Sequence, residues 1–328
     1  MQELSRDAVN IAACVPLWGG FLDARGAFTG RVESYMLRSA SPHGAWVMAI
    51  AMAETMKRTR ALILTLCCVA ASWLSGVTLV AAAERWFTPH RGLYRMSLAT
   101  AESSSGIIGA SGEMYFEWMD ACDGWNVNQH TNLTLATSQN TNNLLGLTFS
   151  GWESKDGMKL RFQSSQFVNG VVIESIEGEA SLSTGGGVGS VAYSKPNSAV
   201  ASLPRGTLFP SEYQRRMMTR MRAGESGYLA LLFDGSTSEG AYEVSAVFAT
   251  PRRHAPPGAA ATGGATDEQV WPVRMAYFPL QGGDVEPDFE VGVLINALGV
   301  AHHYDIDYGN FAVRAVLERY EEIAAPDC

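Results

Sequence analysis

Apolar and polar residues alternate with a period of two in one short run after another, and this constrains the fold more than any other feature of the chain. Tyr94, Met96 and Leu98 alternate with Arg95 and Ser97, and Met114, Phe116 and Trp118 alternate with Glu113, Tyr115 and Glu117. Runs at 125–127, 133–135, 158–162, 171–176, 242–248, 291–295 and 311–317 continue the pattern. Alternation places apolar side chains on one face of a strand and polar ones on the other, so these runs predict sheets with one buried and one wetted face. Turn chemistry separates them: Asp123-Gly124, Lys155-Asp156-Gly157, Asn169-Gly170, Asp234-Gly235 and Gly282-Gly283. Many short antiparallel strands joined by such turns build a barrel, a half-barrel or a sandwich.

One segment departs from this pattern. Pro210-Ser211-Glu212-Tyr213-Gln214 reads as a helix start with a capping box, Ser211 answered by Gln214. Tyr213, Met217 and Met221 then fall on one face, Arg215, Arg216 and Arg222 project elsewhere, and Gly224 ends the helix. A lone helix in an all-β chain covers or plugs a sheet. The Pro-, Ala- and Gly-rich stretch 251–266 reads as a flexible insertion between strands, and Gly185-Gly186-Gly187 as a loose turn.

The N-terminal third has a different character. Lys57-Arg58-Thr59-Arg60 precedes an apolar run from Ala61 to Val80 and the triplet Ala81-Ala82-Ala83, the three parts of a secretory signal. The expected organisation is therefore an upstream extension at 1–51, a signal peptide at 52–83 and a single periplasmic domain at 84–328, with no membrane span after cleavage. A retained membrane-spanning helix is the alternative, because about twenty apolar residues can cross a bilayer. Lipid attachment is disfavoured, since Cys67 and Cys68 follow Leu66 and Cys67 instead of a small residue.

Residues 84–328 carry 17 basic and 28 acidic side chains, a net charge of −11. That balance, without a basic stripe, argues against nucleic acid or an anionic membrane face as a partner. Only Cys122 and Cys328 remain in this part. Two thiols in an oxidising compartment ordinarily pair, with two unrelated free thiols as the alternative. A bond across 206 positions would stabilise the fold by roughly 5 kcal/mol at most.

From about His90 onward the chain resembles the EipB-like family, periplasmic proteins of alphaproteobacteria. The resemblance rests on His90-Arg91-Gly92-Leu93-Tyr94, Ser105-Gly106-Ile107-Ile108-Gly109, Ala121-Cys122-Asp123-Gly124-Trp125 and Asp305-Ile306-Asp307-Tyr308-Gly309-Asn310-Phe311. Its most specific piece is Leu203-Pro204-Arg205-Gly206-Thr207-Leu208-Phe209-Pro210. The 251–266 insertion departs from the family pattern. The resemblance implies an all-β, open, spiral-like antiparallel barrel with one helix packed against it, closed by a Cys122–Cys328 disulfide. It also implies a non-enzymatic role in cell-envelope integrity.

Candidate sites are few. His303, Asp305 and Asp307 would share one strand face and form a candidate divalent-ion site, against the reading of a solvated face. A metal-dependent hydrolase would have to use them. Glu113 and Glu117 share a face that alternation already explains, and no nucleophile elbow, zinc-protease helix or phosphate loop occurs. No cofactor is expected. Trp118, Trp125, Trp152, Trp271, Phe278 and the helix side chains Tyr213, Met217 and Met221 could line an apolar groove in an open barrel. The expected partners are other envelope proteins, with a lipid or hydrophobic peptide carried in that groove as the alternative.

Overall fold

A computed structural model describes residues 86–184, 187–238, 240–255, 268–280 and 286–328. The expected extension at 1–51, the signal at 52–83 and most of the 251–266 insertion lie outside the described residues.

Alternation becomes strand throughout. In chain order the elements are β1 (His90–Ala101), β2 (Ile107–Asp120), β3 (Gly124–Thr137), β4 (Asn142–Ser154), β5 (Lys159–Val168), β6 (Val171–Leu182), β7 (Gly189–Lys195), β8 (Ala199–Leu203) and β9 (Thr207–Leu208). Helix α1 (Pro210–Arg222) follows. The remaining strands are β10 (Gly227–Leu232), β11 (Tyr242–Phe248), β12 (Arg252–His254), β13 (Glu268–Pro279), β14 (Phe289–Asn296), β15 (Ala301–Asp307) and β16 (Phe311–Glu322). Asn169-Gly170 joins β5 to β6 with both residues at positive φ, 52° and 80°, as a tight hairpin turn requires.

Hydrogen bonds order the strands β8-β7-β6-β5-β4-β3-β2-β1-β16-β15-β14-β13-β11-β10-β9, with β12 paired to β13 off this path. The sheet forms a nearly closed barrel with an unsealed seam. Because β1 pairs with β16, in register at Arg91 and Glu321, the first and last strands sit in the middle of the sheet. Its two free ends, β8 and β9, are consecutive in sequence and separated only by residues 204–206. Pairing is antiparallel with one exception among the described residues. Thr207 and Leu208 pair parallel to Leu231 and Leu232, because β9 leads away from the seam into the helix.

Inward-facing residues form three apolar clusters. Tyr94, Met96, Leu133, Leu135, Val313 and Ala315 centre the one under β1, β2, β3 and β16. Phe149, Phe162, Ile176, Val191 and Phe233 centre one under β4 to β8. The third joins α1 to β11, β13 and β14 through Met217, Met221, Val244, Met275 and Val293. A buried side chain of this size contributes about 1.5–3 kcal/mol relative to exposure, so these clusters dominate stability.

The expected disulfide is present, Cys122 to Cys328 with Cα atoms 5.8 Å apart. It does not bridge the seam, since β2 lies six strands from β8 along the path. Instead it fastens the C-terminal tail to the β2–β3 turn.

The helix starts differently from its sequence signature. Phe209 precedes its first residue with no side-chain cap, and Ser211 lies inside the first turn. No Ser211–Gln214 box forms; the Gln214 amide reaches Met218 Sδ at 3.9 Å. The cap comes from β4. The Glu153 carboxylate accepts the backbone N–H groups of Ser211 and Glu212, at 2.7 and 3.2 Å. Gly224 ends the helix at φ 79°, and its N–H donates to Met221 O, as expected.

Candidate functional site

Helix α1 is tied to the barrel at both ends. Glu153 holds its N-terminus, and at its C-terminus Arg222 Nη2 donates to Ala297 O and to Trp86 O. Tyr213, Met217, Met218 and Met221 are buried, and Tyr213 packs 5.4 Å from Tyr228 of β10. The outward side carries Arg215 and Arg216, both bonded to Glu212. The helix thus stands beside β10, the strand next to the seam, and fills the adjacent interior.

What remains inside is small. A cavity of about 40 Å³ lies between Met114, Phe116 and Trp118 on one wall, Val291, Val293 and Tyr304 on the other, and Gln214 and Met217 of the helix. This volume admits water molecules but is far below a typical ligand site of about 300–1,000 Å³. Trp118 Nε1 is buried without a hydrogen-bond partner, so the cavity offers a water one donor.

The segment before β1 closes this region. Phe87 is buried with its ring 3.8 Å from that of Trp118, and Trp86 and Trp125 rings lie 5.7 Å apart. Thr88 N donates to Leu298 O at 3.0 Å, and Ile323 N to Pro89 O at 2.9 Å. Lys155 Nζ sits 3.1 Å from the Trp125 ring centroid and pairs with Asp120 at 2.8 Å. This strap of residues 86–89 has no alternating pattern and was not legible in the sequence.

The sequence candidates do not share one site. Trp118 lines the cavity, Trp271 belongs to the core cluster, and Trp125 joins the strap. Trp152 lies on the outer face of β4, with the Arg161 guanidinium 4.3 Å from its ring centroid. Phe278 is half-buried on β13. At the candidate metal face, Asp305 accepts from Arg314 Nη2 at 2.9 Å, Asp307 lies 3.4 Å from Arg274, and His303 Nε2 is 3.8 Å from Asp305. Arginines therefore hold both carboxylates, and among the described residues no three His, Cys, Asp or Glu converge as a cation site. Glu117 bonds Tyr115 and Asn128. The buried histidine of β15 is His302, whose Nε2 lies 2.7 Å from Glu268.

Two interior acids went unnoticed in the sequence. Burial pushes Glu153 up to about 7 despite the helix N–H groups that favour its charged form. Burial likewise pushes Asp234 up to about 7, against the Ser236 N–H it accepts at 2.9 Å. Strand parity could have found Glu153, because it shares the inward side with Leu145, Leu147 and Phe149. Asp234 sits in a turn-like Asp-Gly pair and carries no such signal.

Fold and site define an open, helix-filled β-barrel fastened by a terminal disulfide. The chain belongs to the EipB-like family, whose sequence profile matches residues 81–324. It is 28% identical over 250 residues to the cell envelope integrity protein EipB of Brucella abortus (strain 2308), covering 75% of this chain and 88% of that protein. A crystal structure of a beta-barrel-like protein from Brucella abortus superposes with a TM-score of 0.67 at 26% identity, covering 73% of this chain and 99% of that one.

Proposed function

We propose that this protein is a non-enzymatic periplasmic protein that supports cell-envelope integrity by binding other envelope proteins. The name of the relative from Brucella abortus supports the role, and the disulfide fits an oxidising compartment. One observation carries the mode of binding. Strand β8 ends the sheet, with no neighbour beyond it among the described residues, and Val200 on it is 78% exposed. An edge strand presents unpaired N–H and C=O groups, which an extended segment of a partner can complete.

Proline at the edge tests this. Backbone groups of successive strand residues point to opposite sides, so either Val200 or Ala201 directs its N–H away from β7. Val200→Pro and Ala201→Pro are introduced separately into a strain lacking the wild-type gene, and survival in detergent is scored. The variant that keeps the wild-type melting temperature should fail to restore survival. Full rescue by a folded edge variant contradicts the reading.

A second reading, a carrier for a hydrophobic ligand, rests on the apolar lining of the cavity by Met114, Phe116, Val291 and Val293 and would need α1 to leave its place to make room. Native mass spectrometry of the purified protein distinguishes this, because a carrier retains lipid.

A further inference from the structure

Outside the barrel, on the face of β3 to β7 turned away from the core, lies a depression of about 750 Å³. It is far larger than the interior cavity, and its rim reaches Ala192 of β7, the registered neighbour of Val200 on the edge strand β8. Registered neighbours build it: Asn126, Trp152, Arg161 and Glu179 follow one another across β3, β4, β5 and β6. Gln163 lies beside this row, next to Ser150 on β4 and Glu177 on β6. A register shift at Glu177–Gly178 accompanies the groove, and such bulges bend a strand and increase its twist.

The chemistry of this surface narrows its ligand. Charges cancel locally: Arg161 stands opposite Glu179, and Glu177 pairs with Lys195 at 2.7 Å. An anionic headgroup would meet two carboxylates and a cation would meet two basic groups, so neither is selected. The backbone offers no hydrogen bonds, because β4, β5 and β6 are laddered on both sides. An extended peptide therefore cannot add as a strand here. What remains is a half-buried indole, with the Arg161 guanidinium over its ring at 4.3 Å, beside the exposed polar side chains of Gln163 and Glu179. Amide, guanidinium and carboxylate groups match paired hydroxyls as donors and acceptors, and an indole supplies apolar contact for the C–H side of a sugar ring.

We propose that the outer-face groove around Trp152, Arg161, Gln163 and Glu179 is a binding site for an uncharged saccharide chain. The full oxidised protein is tested by saturation-transfer NMR and tryptophan fluorescence. The probes are triacetylchitotriose and maltotriose, with 3′-sialyllactose and an uncharged pentapeptide as comparators. At least one uncharged trisaccharide should bind, and both Trp152→Ala and Gln163→Ala should weaken it about tenfold or more. Gln163→Ala alters only an exposed side chain and should leave the melting temperature unchanged, which keeps the test valid if Trp152→Ala misfolds. Three results overturn the site: no binding of either uncharged trisaccharide, affinity unaffected by Gln163→Ala, or preference for the pentapeptide or the sialylated sugar.

Discussion

The carboxylate of Glu153 and the backbone N–H of Ser211, 58 residues apart in sequence, meet at 2.7 Å inside the barrel. Through this contact a strand of one half of the sheet caps the helix that packs on the other half. Removing the carboxylate strands two buried donors, and each unsatisfied buried polar group costs about 1–3 kcal/mol. Glu153→Ala should therefore lower the unfolding free energy by more than any substitution of the exposed Arg216. Urea denaturation measures both.

The same residue makes stability depend on pH. Burial raises the folded-state Glu153 from 4.5 to about 7, and Asp234 from 3.8 to about 7. A folded-state value above the unfolded one favours the protonated native form. The resulting stabilisation is complete below about pH 4 and is lost as pH rises through 7. At about 1.4 kcal/mol per pH unit, each acid contributes on the order of 3–4 kcal/mol to that loss. Melting temperature should fall between pH 5 and pH 8, and Glu153→Gln should flatten the slope.

Methionine packing sets the next expectation. Met217 and Met221 are both buried in the α1 cluster, and Met-to-Ala changes in cores cost about 2–5 kcal/mol each. Arg215 and Arg216 pair with Glu212 on the wetted side, where such pairs contribute about 0–1 kcal/mol. Calorimetry of the two double variants, Met217→Ala/Met221→Ala and Arg215→Ala/Arg216→Ala, should show a large loss for the first and a small one for the second.

For the disulfide, reduction should lower the melting temperature by releasing the tail, with an upper limit of roughly 5 kcal/mol. Cys122→Ser and Cys328→Ser should each reproduce the effect, and the double variant should be no worse. Thiol titration of unreduced, denatured protein should find neither residue reactive.

The legible and illegible parts divide by sequence distance. Alternation in β1, β2 and β16 and the spacing of Tyr213, Met217 and Met221 are local signals, and each became the expected element. Strand β4 escaped because Gly151 and Glu153 interrupt its apolar side after Leu145, Leu147 and Phe149. Pro272 interrupts the sequence pattern of β13 and is tolerated because it faces the gap between β11, ending at Phe248, and β12, beginning at Arg252, where only its carbonyl is used, accepting the Ala249 N–H at 2.9 Å. The capping box failed because a carboxylate from β4 displaced the local cap. Seam position was equally hidden, since the pairing of β1 with β16 moves the open edge to the middle of the chain.

Site-specific photo-crosslinking in intact cells reads out binding at the β8 edge. A photoreactive residue replaces Val200 on the β8 edge, and a second protein carries it at Ile108, 62% exposed near the start of β2 and away from the seam. Position 200 should give a discrete adduct with another envelope protein, and position 108 should give none. Absence of any adduct at position 200, or the same adduct from both positions, would contradict binding through the open seam.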